Sequence, residues 1–201
     1  MATSELEQQA WNKSLEFYGI DEAAYGGGAG AMFIAVVSFD KNFTAPELKK
    51  IKDSKKLSHE QRAELAPWIK SNAKYWKIFE VDVQRINDGS PYYLRFSDAE
   101  EWSNTVDAAV ICFDGNVRLQ NSKHEMTCCV KGDSVSLSIA AASILAKNAK
   151  DEEMAKLDIL YPQYGFIGHS GYVNIDHVAA VKKHGFTDIH RKSYFTKQLA
   201  K

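Results

Sequence analysis

Two strand-length apolar segments flank a run of glycines, and the first of them finishes in acids. Residues 15–23 read as a strand that carries Asp21 and Glu22 at its end. Residues 25–31 contain Gly26-Gly27-Gly28-Ala29-Gly30, and residues 32–39 are apolar almost throughout. Such a glycine run must turn tightly or let another backbone come close. The three segments together predict a β-hairpin.

The rest of the chain alternates helices with strands. A short polar helix is expected at the surface within residues 1–15. Ser58 and Gln61 make a capping-box pattern ahead of a helical stripe of Ala63, Leu65, Ala66, Trp68 and Ile69. Residues 75–81 predict a third strand. Ser97 or Asp98 would cap a short helix running to Val106. Residues 108–113 read as a buried, parallel-type strand ending at Asp114-Gly115-Asn116, and residues 126–130 as a fifth strand. A long helix is expected over 134–160, and its small, apolar stretch 138–147 suits close packing on a sheet. Asn174 starts another helix, with Gly185 as its C-cap. No repeat or linker divides the chain, so residues 1–201 are expected to form one domain, with 1–15 as an N-terminal polar segment. The element order predicts an α/β fold: a mixed five-stranded sheet with helices on both faces.

Composition narrows the class. An apolar share of 45% and a charged share of 25% describe an ordinary soluble protein. No apolar run reaches the about 18 residues of a membrane span. Residues 1–7 lack the basic and apolar regions of a secretory signal. Cys112, Cys128 and Cys129 are odd in number and irregular in spacing, which predicts buried thiols in a reducing cytoplasm. A net charge of −1 argues against a protein that coats nucleic acid non-specifically. Local basic clusters nevertheless occur at Lys49, Lys50, Lys52, Lys55 and Lys56, and again at Lys182, Lys183, Arg191, Lys192, Lys197 and Lys201.

The acids that end strands carry the chemistry. Asp21, Glu22, Asp114 and Asp133 all fall where an apolar strand finishes. In open α/β sheets, ligands gather at the carboxyl ends of strands. Two carboxylates ~4 Å apart repel by about 4 kcal/mol at an effective dielectric near 20, so a cluster of four needs protons or cations. Oxygen-only donors select hard ions such as Mg²⁺ or Mn²⁺. Residue spacing alone leaves other readings open. A lone Asp at a strand end is commonly a turn or helix cap, and an Asp-Glu pair also suits a glycosidase. Neighbouring residues on a strand point to opposite faces, so the pair by itself specifies neither.

Gly19-Ile20-Asp21-Glu22-Ala23, followed by the glycine-rich turn, resembles the opening motif of the type 2 ribonuclease H family (ribonuclease HII). Asp53-Ser54-Lys55-Lys56-Leu57-Ser58 is similar to its second motif, and Asp114-Gly115-Asn116 to its third. Val130-Lys131-Gly132-Asp133, with the stretch 138–147, is similar to its fourth. Tyr161 to Phe166, His169 to Tyr172, and His190-Arg191-Lys192-Ser193 resemble its last ones. The resemblance implies a ribonuclease H-like fold and a monomer acting on RNA–DNA hybrids or on DNA containing ribonucleotides. It implies endonucleolytic cleavage to 3′-hydroxyl and 5′-phosphate ends. It also implies two divalent ions, Mg²⁺ or Mn²⁺, held by the catalytic acids Asp21, Glu22, Asp114 and Asp133. Ser54, Lys55 and Lys56 would lie near phosphates, Tyr172 would pack on a sugar at the RNA–DNA junction, and Tyr25 and Gly26 would also contact substrate. His169, His190 and Arg191 are expected to be structural or phosphate-facing.

Three departures stand out. Where the family has Gly-Arg-Gly after Asp-Glu-Ala, this chain has Ala24-Tyr25-Gly26. The guanidinium is absent, and alanine restricts a backbone position that glycine leaves free. The change bears on the family's preference for a single embedded ribonucleotide, with Tyr25 either stacking on a sugar or base or serving as a plain turn residue. Ser170 replaces a family lysine, and residues 83–108 show little of the family pattern. The competing function is a non-catalytic nucleic-acid-binding protein that keeps the fold.

Overall fold

The computed structural model describes residues 2–41, 43–107, 109–116 and 124–200. In chain order the elements are α1 (Glu5–Asn12), β1 (Glu16–Ala23), β2 (Met32–Ser38), α2 (His59–Asn72), β3 (Tyr75–Val81), α3 (Val83–Asp88) and α4 (Pro91–Ser103). They continue with β4 (Ala109–Asp114), β5 (Glu125–Cys129), α5 (Gly132–Val135), α6 (Leu137–Leu160), α7 (Phe166–His169), α8 (Ile175–His184) and α9 (Thr196–Leu199). Ala108, the expected first residue of β4, and Lys201 lie outside the described residues.

The strands form one five-stranded sheet in the order β3-β2-β1-β4-β5. β1 pairs antiparallel with β2, and β2 with β3, which makes the expected hairpin. β1 runs parallel to β4, and β4 to β5. Alternation along β2 splits its side chains between two cores. Phe33, Ala35 and Val37 pack with α2 and α6, while Met32, Ile34 and Val36 pack with Ile86 of α3 and Ala99 and Trp102 of α4. Helices therefore cover both faces, and β2 is buried at every position. The small residues of α6 bring it very close to β1: a Cβ on Gly19 would run into the backbone of Ile139. The capping box at Ser58 and Gln61 is present on α2.

Several expectations change. The helix expected from Ser97 or Asp98 begins at Pro91, and a separate turn of helix, α3, precedes it. Proline at N1 is preset for a helix start and has no N–H to leave unpaired. Asp98 instead sits within α4 and pairs with Arg85 at 2.6 Å. The helix expected over 134–160 is interrupted: Ser136 is extended (φ −132°, ψ 124°), and its hydroxyl caps α6 by accepting from Ile139 N. The N-terminal helix is anchored there too. Glu7, buried, accepts from Ser136 Oγ and Ser138 N, both at 2.7 Å. Of the three thiols only Cys112 is buried; Cys128 and Cys129 are partly exposed because β5 is an edge strand.

The glycine run does let a backbone come close, and that backbone belongs to the same chain. Gly28 N donates to Gly171 O at 2.8 Å, Gly30 N to Ile189 O at 2.9 Å, and Arg191 N to Gly28 O at 2.8 Å. A Cβ on Gly28 would collide with Val173 and Phe195. These contacts dock the C-terminal core of Phe166, Val181 and Phe195 against the hairpin.

Candidate active site

Asp21 and Glu22 are neighbours on β1 and face opposite sides of the sheet. Asp21 turns toward α6, where the Ser143 hydroxyl bonds to its carboxylate. Ser143 Oγ in turn lies 2.8 Å from Ser54 Oγ. Glu22 turns toward α4, where its Oε1 lies 2.6 Å from Arg95 Nη2. Asp114 ends β4, the parallel neighbour of β1, and its Oδ1 accepts from Gly132 N at 2.7 Å. Asp133 lies at the start of α5, just past β5. Parallel pairing thus brings the acid-bearing ends of β1 and β4 to the same edge of the sheet.

The electrostatics follow from burial and crowding. The Asp21 carboxyl is held well above its usual range, first by burial and then by the charges of Glu22 and Asp114. Glu22 is also raised by burial, with Arg95 opposing the shift. Asp133 is raised by burial and by Asp53 and Asp114, while Lys55 and Lys56 oppose it. Glu22 Oε2 has no hydrogen-bond partner among the described residues. A partly buried, acidic, oxygen-only set with an unsatisfied carboxylate oxygen fits a hard divalent cation. Among the described residues, no group of three potential metal ligands already stands close enough to hold one, so a cation there would require the side chains to converge.

The acids open into a cleft of about 250 Å³, bordered also by Tyr25, Gly26, Lys55, Arg95, Lys147 and Tyr172. Asp53 caps the 3₁₀ turn Ser54–Lys56, its Oδ1 accepting from Lys55 N at 2.9 Å. Arg62 braces that turn by donating to Ser54 O at 3.0 Å and to Leu57 O, and it also pairs with Asp151 at 2.7 Å. Within the turn, Lys55 faces the cleft, Ser54 is buried against Ser143, and Lys56 is exposed beside Asp53 at 3.7 Å.

On the opposite wall, Ala24 adopts φ +68°, the left-handed region that favours glycine. Tyr25 lies beneath Arg95, whose guanidinium carbon is 4.9 Å from the ring centroid. Tyr172 is half-exposed. Lys150 lies 5.1 Å from the centre of the Tyr172 ring and donates to Ser170 O. Burial lowers the Lys150 ammonium to about 7, helped by the nearby charge of Lys147. His190 and Arg191 are fully buried behind the turn. Arg95, Ser143 and Lys147 are not among the site residues expected from the sequence, although Ser143 and Lys147 fall in the stretch 138–147 that resembles the fourth motif. Ser143 and Lys147 sit within the small-residue stretch assigned to packing, and no local pattern marks Arg95 as reaching the acids.

Solved structures share this architecture. The crystal structure of ribonuclease H2 from Pyrococcus horikoshii matches with a TM-score of 0.76 at 24% identity, over 92% of this chain and 96% of that one. Bst-RNase HIII in complex with Mn²⁺ matches with a TM-score of 0.65 at 20% identity, over 93% of this chain and 70% of that one. The fold is therefore ribonuclease H-like, with the acids at the strand ends. Residues 18–197 match the family model described as Ribonuclease HII. Ribonuclease HII of Chlorobaculum parvum is 39% identical over 99% of this chain and 98% of its own length, and that of Nitrosomonas europaea is 38% identical over 88% and 81%. The chain belongs to the ribonuclease HII family and is a ribonuclease H-type endonuclease.

Proposed function

We propose that this protein is a divalent-metal-dependent endonuclease that hydrolyses the RNA strand of RNA–DNA hybrids, or ribonucleotides embedded in duplex DNA. The products are 3′-hydroxyl and 5′-phosphate ends. The observation that carries the reading is the placing of the acids: Asp21 and Glu22 end β1 at one cleft with Asp114 and Asp133, and burial together with the charge of Asp114 holds both Asp21 and Glu22 above their usual pKa. Asp21, Glu22, Asp114 and Asp133 are the residues that would hold the ions. Bound ions supply Lewis-acid stabilisation of the charge that builds on the attacking and leaving oxygens.

The other residues act on substrate. Lys55, at the cleft, and Lys56, beside it, attract the phosphate backbone as point charges. Ser54 steadies Asp21 through Ser143. Tyr25, Gly26 and Tyr172 form a wall on which a sugar packs; a Cβ on Gly26 would stand 3.9 Å from the Tyr172 ring. The protein acts as a monomer in the cytoplasm. No described helix is long and apolar enough to cross a membrane.

Purified protein with Mg²⁺ or Mn²⁺, offered a full hybrid and a duplex holding one ribonucleotide, should cut at least one of them and stop when the ions are chelated. If both duplexes stay intact, the reading fails.

A further inference from the structure

Arg95 reaches the acids from α4, within the stretch 83–108 to which the sequence assigned no function. Its Nη2 lies 2.6 Å from Glu22 Oε1, its guanidinium lies over the Tyr25 ring at 4.9 Å, and a Cβ on Gly115, the neighbour of Asp114, would stand 3.5 Å from its Nη2. The guanidinium thus lies in the cleft itself, on the side of the sheet opposite Ser143.

Glu22 faces two claims on its oxygens. Arg95 covers Oε1, and Oε2 is unpartnered among the described residues. A divalent ion that uses this carboxylate must share it with the guanidinium or displace it. A displaced guanidinium is not lost to solvent, because the Tyr25 ring still supports it beside the cleft. Its planar fork of donors matches a phosphate better than any lysine does. We propose that Arg95 is a displaceable counter-ion of Glu22: an ion entering at the acids frees the guanidinium to take a backbone phosphate of the nucleic acid. Ion and nucleic acid then bind cooperatively, and by linkage each tightens the other equally. This makes Arg95 a substrate-binding residue whose charge is used twice, and it rests on the nuclease reading above.

The test measures Mn²⁺ affinity by calorimetry, with and without a hybrid whose RNA strand is 2′-O-methylated, so no turnover is needed. Wild type is compared with Arg95→Gln and Arg95→Lys. Arg95 is a partly exposed residue on α4, so both variants should fold, and circular dichroism checks it. Without nucleic acid, Arg95→Gln should bind Mn²⁺ about five- to tenfold more tightly than wild type. The tightening caused by the hybrid should shrink by a similar factor in Arg95→Gln and recover in part in Arg95→Lys. Equal Mn²⁺ affinities in wild type and Arg95→Gln, or undiminished coupling in Arg95→Gln, would overturn the inference. Absence of cleavage by wild type, with the coupling intact, would overturn the hydrolase reading alone.

Discussion

Arg191 donates from Nη1 to the carbonyl oxygen of Ala24 at 2.6 Å, from full burial. Its Nε donates to Gly30 O at 2.8 Å, so one guanidinium ties both ends of the glycine-rich turn. Hydrogen bonds to a charged donor contribute about 1.5–3 kcal/mol each. Arg191→Met should therefore cost about 3–5 kcal/mol. Differential scanning calorimetry should show a melting point lower by roughly 10 °C. A change of a degree or less would mean that the turn does not depend on this clamp.

Ala24 holds φ +68°, where an L-residue is strained by about 1–2 kcal/mol. Glycine removes the strain but regains about 0.4–1 kcal/mol of chain entropy in the unfolded state. Ala24→Gly should stabilise the fold by about 0.5–1 kcal/mol, read as a higher midpoint in urea. A lower midpoint would place the backbone outside the left-handed region.

Asp114→Asn keeps an oxygen able to accept from Gly132 N, so the turn after β5 should survive. Losing the charge should slow cleavage by about a hundredfold or more. Unchanged melting with lost cleavage is the expected pair of results, and full activity would remove Asp114 from the site.

Tyr25→Arg places a guanidinium where the family motif has one. It should raise cleavage of a single embedded ribonucleotide relative to a long hybrid by roughly tenfold, the size of one charge-assisted hydrogen bond. An unchanged ratio would separate this position from substrate choice.

His177 and His190 are fully buried and form ring contacts with each other and with Phe166. Burial depresses both to about 4, and His169 and His190 add to the shift at His177. The unfolded chain, with ordinary values near 6.5, binds more protons between pH ~6.5 and ~4. The contribution of these imidazoles is therefore complete above pH ~6.5 and is lost as the pH falls toward ~4. Buried acids with raised values, such as Glu7 and Asp21, oppose this trend, so the informative quantity is a difference. Wild type should lose more stability than His177→Leu between pH 7 and pH 4.5. Parallel pH profiles would show that His177 is not held neutral.

Much of this architecture follows from local chemistry. The strand of 15–23, the glycine turn and the strand of 32–39 pair as their alternation requires. The Ser58 cap and the Asn174 start are set by side chains within three residues of the backbone N–H groups they satisfy. The start of α4 lies at Pro91 and not at Ser97 or Asp98, although both are acceptable caps, because Ala99 and Trp102 pack under the sheet within a helix that proline 91 can begin. The break at Ser136 depends on Glu7, a residue more than a hundred positions away.

The same division holds at the acids. From the sequence alone came their identity, their place at strand ends and the family's motif order, because these depend on residue type and periodicity. It also showed that position 25 lacks an arginine. Only the tertiary structure decided that Asp21 answers to Ser143 on one face of the sheet and Glu22 to Arg95 on the other. The reason is physical: a strand alternates its side chains, and what each one meets is set by whichever helix packs on that face. No local pattern in residues 91–103 carries that information.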